Sequence, residues 1–165
     1  MNMTEEQVFQ ATRKVYALYG AFFQSVAQAL GLPEALALHE QAHKEQGMAS
    51  AELIKQKLGD APLDIQRLGS ILQESNLSIG IQCNLAVVSG SSALFRNSRC
   101  PLYDGYRMGG LDDETAEALC QKGAAAKLGT MLKQIDPRIS YCLKHYRSKR
   151  YEPCEEEISY RAEET

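Results

Sequence analysis

Three cysteines in the second half of the chain, Cys100, Cys120 and Cys154, are the residues best suited to carry chemistry. A thiolate is a nucleophile and a ligand for soft metals, whereas a buried thiol behaves as a small apolar side chain. Their spacing is not C-x-x-C, so it does not predict a zinc ribbon or a cluster-binding loop. Three interpretations therefore stay open: a reactive thiol, a thiolate-bound metal, and core packing.

Polar residues that could serve a substrate follow Cys100 closely. Asp104 is a candidate general base, Arg107 could hold a carboxylate, and Tyr103 or Tyr106 could donate hydrogen bonds. The structural alternative is a capped turn in which Asp104 accepts from backbone N–H groups and Arg107 faces water. Of the other two cysteines, Cys83 is predicted to lie in the core and Cys142 is given no role.

The segment His39-Glu40-Gln41-Ala42-His43 matches H-E-x-x-H, and it lies in a predicted helix. Histidines at i and i+4 share a helix face, so both could reach one Zn²⁺ while the glutamate activates its water. Polar residues follow immediately, and Gly47 is predicted to end the helix. The context favours a polar helix end that carries two surface histidines.

Composition and charge exclude several function classes. The 165 residues have a net charge of −3 and a pI near 5.7, which argues against a surface for nucleic acids or anionic membranes. The basic run at 144–150 is followed at once by Glu155, Glu156 and Glu157, and this pattern predicts a solvated hairpin. The acidic first residues and the lack of a long apolar run predict a cytoplasmic protein with reduced thiols.

The first half of the chain is predicted to be helical. Thr4 and Gln7 form a capping box, and a helix with apolar residues at three- and four-residue steps follows as far as Gly31. Phe9, Tyr16 and Phe23 form a second apolar stripe, which predicts contact inside the domain or with a partner in a homodimer. Further helices are predicted at 33–46, 50–58 and 62–73.

The second half is predicted to be rich in strands. Alternating apolar residues predict strands at 77–87, 93–97, 139–145 and 151–161, with an irregular or one-turn stretch after Cys100 and a helix at 114–133. Short turns join the strands, so the sheet should be largely antiparallel. The expected fold is therefore α+β, in one domain over 1–165, with a helical half at 1–75 and a strand-rich half at 76–161. An N-terminal helical layer should pack on a sheet that contains one inserted helix.

The order of these pieces resembles the L-2-amino-thiazoline-4-carboxylic acid hydrolase family, which is similar in architecture to ligand-binding domains of the 4-vinyl reductase type. The matching residues lie between 79 and 160 and cover about half of the chain. They are Arg99-Cys100-Pro101, Asp104-Gly105-Tyr106-Arg107, the Gly109-Gly110 break, Leu119-Cys120, Ile135-Asp136-Pro137-Arg138-Ile139 and Cys154.

The resemblance implies hydrolytic opening of a C–N bond in a thiazoline or related cyclic amidine. Cys100, Cys120 and Cys154 would be the family's cysteines. From residue chemistry we expect Cys100 or an activated water to attack, Asp104 to act as the base, and Arg107 to hold the substrate carboxylate. Cys120 is also predicted to be catalytic, and Tyr106 and Cys154 are predicted to bind the substrate together with Arg107.

The chain departs from the family pattern at two places. Gly123 stands where the family has an aspartate three residues after the helix cysteine. The segment Arg150-Tyr151-Glu152-Pro153 replaces a Gly-Asp turn before Cys154. No cofactor or metal ligand set is predicted, although a thiolate-bound metal stays open. The alternative to the hydrolase is therefore a non-catalytic module that binds a small ligand or a metal through the same cysteines.

Overall fold

A computed structural model describes residues 3–59, 63–147 and 149–160, and these residues form a mixed α+β fold. Within them, no helix is both long enough and apolar enough to cross a membrane. The described elements are α1 (Glu5–Leu30), α2 (Leu32–Leu58), α3 (Ile65–Ser78), β1 (Gln82–Ser89), β2 (Ser92–Arg99), α4 (Pro101–Met108), α5 (Asp113–Ile135), β3 (Ile139–His145) and β4 (Cys154–Tyr160).

The four described strands form one antiparallel sheet in the order β1-β2-β4-β3. Helices cover one face of this sheet, with α3 against β1 and β2 and α5 against β3. A second set of contacts joins α2 to α5 and α1 to α4. The predicted α+β class and antiparallel sheet are confirmed.

Local signals at the ends of the helices account for most element boundaries. The predicted capping box of α1 is present, because Thr4 and Gln7 bond each other's backbone N–H groups. Gly31 ends α1 with a φ of 88°, a backbone angle that glycine adopts without steric cost. Asp64 caps α3 and Asp112 caps α5 through their side chains.

Gly47 does not end a helix, and the prediction of two helices at 33–46 and 50–58 is wrong. Residues from Leu32 to Leu58 form the single helix α2. A Cβ atom at Gly47 would collide with the carbonyl oxygen of Lys127 on α5. The glycine is therefore a packing residue, which lets α2 and α5 approach closely.

Three other boundaries differ from the prediction. Helix α3 runs on to Ser78, so residues 77–79 are not strand and β1 begins at Gln82. The stretch after Cys100 is the regular eight-residue helix α4, for which Pro101 supplies the first position. The last strand begins at Cys154 rather than 151. The predicted helix start at Pro62 and the strand end at 161 lie outside the described residues.

The Phe9, Tyr16 and Phe23 stripe of α1 faces the interior. Phe9 and Phe23 are buried, and Tyr16 packs edge-on against Tyr106 of α4 with ring centroids 5.5 Å apart. The opposite face of α1 exposes apolar side chains instead, of which Phe22 is 63% accessible. The stripe named in the sequence is therefore internal packing rather than an outer surface.

Candidate ligand-binding cavity

A cavity of about 550 Å³ lies between the helices and the inner face of the sheet. Its volume falls within the range of roughly 300–1,000 Å³ that is typical of small-molecule sites. Much of the lining is apolar and includes Ile54, Leu72, Ile81, Phe95, Leu119 and Met131. Exposed residues also border it, among them Leu53 of α2 and Ile79 directly after α3, and they mark where it meets solvent.

The three candidate cysteines meet at this cavity from three different elements. Cys100 is the residue before α4, Cys120 lies on α5, and Cys154 begins β4. They are close enough for the charge of one thiolate to raise the pKa of another. The cavity lining also contains Tyr106, a predicted substrate-binding residue. Cys83 is buried, as predicted, and Cys142, which was given no role, is exposed.

The thiols of Cys100 and Cys120 are held in the protonated form. Burial raises the pKa of Cys100 to about 11 and raises that of Cys120 well above its ordinary value of 9.0. A protonated thiol is a poor nucleophile and a poor metal ligand. Consistent with this, no group of three or more His, Cys, Asp or Glu residues in the described part of the chain is arranged to hold a metal.

Arg147 is the largest polar group beside the cysteines, and it is buried. Its side chain is 2% exposed, with Nε donating to Cys154 Sγ at 3.2 Å and Nη2 donating to the Asn97 carbonyl at 2.8 Å. Nη1 donates to the Arg150 carbonyl, also at 3.2 Å. The solvated hairpin predicted for 144–150 is therefore wrong at Arg147, whose guanidinium ties the hairpin to β2 and β4.

Glu156 places a carboxyl group on the inner face of the sheet. On β4 it shares the inward side with Cys154 and Ile158, while Glu155 and Glu157 point outward to Arg96 and Lys144. Burial raises the pKa of Glu156 to about 7, although Asn97, Arg147 and Tyr141 act in the opposite direction. At neutral pH this carboxyl group can therefore either donate or accept a proton.

Several polar atoms of the cavity lining have no hydrogen-bond partner among the described residues. Asn97 Oδ1 and the hydroxyl groups of Tyr141 and Tyr146 are buried without a hydrogen bond. The Cys120 thiol neighbours the Tyr146 hydroxyl without meeting hydrogen-bond geometry. Unsatisfied buried polar atoms are rare in native proteins and are often explained by a missing ligand, water or ion. This end of the cavity is thus polar and incompletely satisfied.

The structure places Asp104 and Arg107 away from the cavity. Asp104 makes a two-bond ion pair with Arg150, the shorter bond measuring 2.8 Å. Arg107 pairs with Asp113 and donates to the Leu111 carbonyl. Both side chains border a separate surface groove of about 420 Å³ rather than the cysteine cavity.

The two histidines of the H-E-x-x-H segment are not surface residues, so that prediction is wrong. His39 is 3% exposed, accepts at Nδ1 from the Tyr19 hydroxyl at 2.6 Å, and donates from Nε2 to the Leu119 carbonyl at 2.9 Å. Burial lowers the pKa of His39 to about 4. Both of its nitrogens are occupied, which gives it a structural role. His43 is half-buried and borders the cavity.

Gly123 explains how these rings fit inside. A Cβ atom there would lie 2.5 Å from His39 Nε2 and 3.1 Å from His43 Nε2, so α5 needs a glycine at this point. An aspartate, the residue of the family pattern, would have no room beside His39. The glycine at position 123 therefore makes room for the two histidines of the H-E-x-x-H segment.

Sequence reasoning missed Arg147, Glu156, Asn97, Tyr141 and Tyr146. Strand parity carried a usable signal for two of them, because Glu156 alternates in step with Cys154 and Asn97 in step with Phe95. No pattern in the sequence signals the burial of Arg147.

Comparisons with known proteins add no further assignment. No protein-family model matches this chain, and no curated protein matches it. The resemblance drawn from single residues therefore stays a resemblance, and the function has to be argued from the cavity.

Proposed function

We propose that this protein binds a small, largely apolar molecule in the cavity between its helices and its sheet. The observation that carries the proposal is the cavity itself, about 550 Å³ in volume, with apolar walls and a few polar groups gathered at one end. That combination is typical of small-molecule sites, in which apolar area supplies affinity and a few polar groups fix orientation. The raised pKa values of Cys100 and Cys120 favour binding over thiol catalysis.

The test uses a cavity-filling variant and a matched control. Ala124 and Ala125 are neighbours on α5, but Ala124 borders the cavity and Ala125 is exposed. N-phenyl-1-naphthylamine, a neutral apolar dye, should fluoresce on binding to the wild type and to Ala125→Phe. Ala124→Phe should bind the dye at least about tenfold more weakly, because the ring would occupy the site. Absence of dye binding to the wild type, or equal binding by both variants, would refute the proposal.

Hydrolysis of a cyclic amidine at the same cavity is the second proposal. What favours it is Glu156, because a carboxyl group with a pKa of about 7 is suited to general acid–base catalysis. In this version Glu156, rather than Asp104, would move the proton while water opens the C–N bond. Incubation with 2-amino-thiazoline-4-carboxylate, followed by mass spectrometry, should detect a product heavier by one water. Glu156→Gln should abolish that product, and Glu157→Gln should not.

The proposed setting is the cytoplasm, and the proposed assembly is a homodimer through α1. The described cysteines are all unpaired, which suits a reducing compartment. The outer face of α1 exposes Val15, Leu18 and Phe22 at helical spacing, and such a stripe favours a partner. Sedimentation should show a dimer for the wild type and a folded monomer for Leu18→Glu; a wild-type monomer would refute this assembly.

A further inference from the structure

Lys127 on α5 is a cation at the cavity, and the described residues offer it no counterion. The side chain is half-buried and borders the cavity, and no carboxylate of the described residues lies within ion-pair distance of it. Burial alone lowers its pKa, with no contribution from a nearby acid. Partly buried charges are usually paired, because removing them from water costs free energy. An anion that enters the cavity would therefore find this charge unpaired among the described residues.

Groups on α2 complete a polar subsite around this lysine. The backbone of Lys127 lies against Gly47, and His43 stands one turn earlier on the same helix. His43 Nδ1 donates to the His39 carbonyl at 2.9 Å, so the Nε2 of the neutral ring is an acceptor. Burial lowers the pKa of His43, and the nearby Lys127 charge lowers it further. Gln46 adds an amide to the same part of the lining.

The other cation deep in the cavity, Arg147, is already occupied. Its guanidinium donates to Cys154 and to backbone carbonyls, as described above, and it is almost fully covered. Glu156 is the acidic residue of the lining, but it acts on Arg147 and not on Lys127. An incoming anion would therefore meet its free partner at Lys127 rather than at Arg147.

We propose that the ligand is an apolar molecule carrying one carboxylate, and that Lys127 binds this carboxylate while the apolar walls hold the rest. This inference rests on the proposed binding function and specifies the chemical class of the ligand. The Lys127 ammonium supplies charge and hydrogen bonds to the carboxylate. The protonated thiols of Cys100 and Cys120 add no charge that would compete with Lys127 for the carboxylate.

The experiment compares decanoate with decanol, which share a ten-carbon chain and differ in the head group. Displacement of N-phenyl-1-naphthylamine from the wild-type protein at pH 7.5 should give decanoate at least about tenfold higher affinity, as expected for a charge-assisted hydrogen bond. Lys127→Met should lose this preference while it binds decanol normally, and Lys127→Arg should keep most of it. Lys57→Met is the matched control, because Lys57 also borders the cavity but is exposed, and it should behave like the wild type.

Two results would overturn the inference and leave the binding function standing. One is equal affinity of the wild type for decanoate and decanol when the dye binds well. The other is a preference for decanoate that survives in Lys127→Met. Since the first comparison uses only the wild type, it decides the matter even if a variant fails to fold. Failure of the dye and both probes to bind would instead reject the proposed function and this inference together.

Discussion

Replacing Glu156 by glutamine should make protein stability less dependent on pH, because glutamine mimics the protonated carboxyl group. The folded protein raises the pKa of Glu156 from 4.5 to about 7, so folding favours the protonated form. The stability that this proton contributes is fully present below pH 4.5 and is lost as the pH rises through 7. Above that pH, the wild type has to keep an ionised carboxylate in a mostly apolar cavity.

The size of the effect follows from the two pKa values. Each unit of difference between the folded and unfolded pKa corresponds to about 1.36 kcal/mol. Partial access of water to the cavity reduces the total, so we expect about 2–3 kcal/mol. The free energy of unfolding of Glu156→Gln should therefore be about 2–3 kcal/mol higher than that of the wild type near pH 8, and about equal to it near pH 4.

The comparison has to be made between variant and wild type because His39 works in the opposite direction. Burial lowers the pKa of His39 from 6.5 to about 4, so its contribution to stability is lost as the pH falls through that range. The two groups partly cancel in the wild-type profile, whereas subtraction of the two unfolding curves leaves Glu156 alone.

The assay is urea unfolding followed by circular dichroism at several values between about pH 4 and pH 8. Glu157→Gln is the matched control, because it makes the same change on the outer face of the same strand, where Glu157 pairs with Lys144. It should follow the wild-type dependence on pH. A difference between Glu156→Gln and wild type that stays constant from pH 4 to pH 8 would refute the argument from burial.

Three further predictions concern packing and thiol access. Gly123→Ala should lower the free energy of unfolding by about 1–3 kcal/mol, because the added methyl group would collide with His39. Gly129→Ala, on the same helix, has open space around it and should raise the free energy of unfolding by about 0.5–1 kcal/mol. Urea unfolding measures both variants, and equal effects would contradict the packing of the histidines. Phe23→Ala should lower the free energy of unfolding by about 3–5 kcal/mol and Phe22→Ala by less than about 1 kcal/mol, because only Phe23 of these two is buried. A larger effect of Phe22→Ala would mean that the face of α1 that carries Phe22 is the buried one. Iodoacetamide should modify Cys142 first in the native protein, with Cys100 and Cys120 at least about tenfold slower, because burial disfavours their thiolate forms. Peptide mass spectrometry identifies the labelled site, and a fast-reacting thiol that persists in Cys142→Ser would contradict the assignment.

Local chemistry explains which parts of the fold could be predicted. Features that depend only on neighbouring residues could be predicted from the sequence. They are the capping box at Thr4, the end of α1 at Gly31 and the alternation in β3. The prediction was wrong at Gly47, because a glycine inside a helical pattern indicates a helix end unless the segment that packs against it is known. The Lys127 carbonyl that requires this glycine is 80 residues away along the chain.

The candidate site divides in the same way. The sequence by itself determined that Cys100, Cys120 and Cys154 would come from three different elements, and that alternation along β4 would put Cys154 and Glu156 on one face. Only the tertiary structure decided that Asp104 faces a surface groove, that Arg147 is buried against Cys154, and that Lys127 borders the cavity with no ion pair to the described residues. The physical reason is that burial and pairing of a charge depend on which distant segments surround it, and periodicity along one segment does not specify its neighbours.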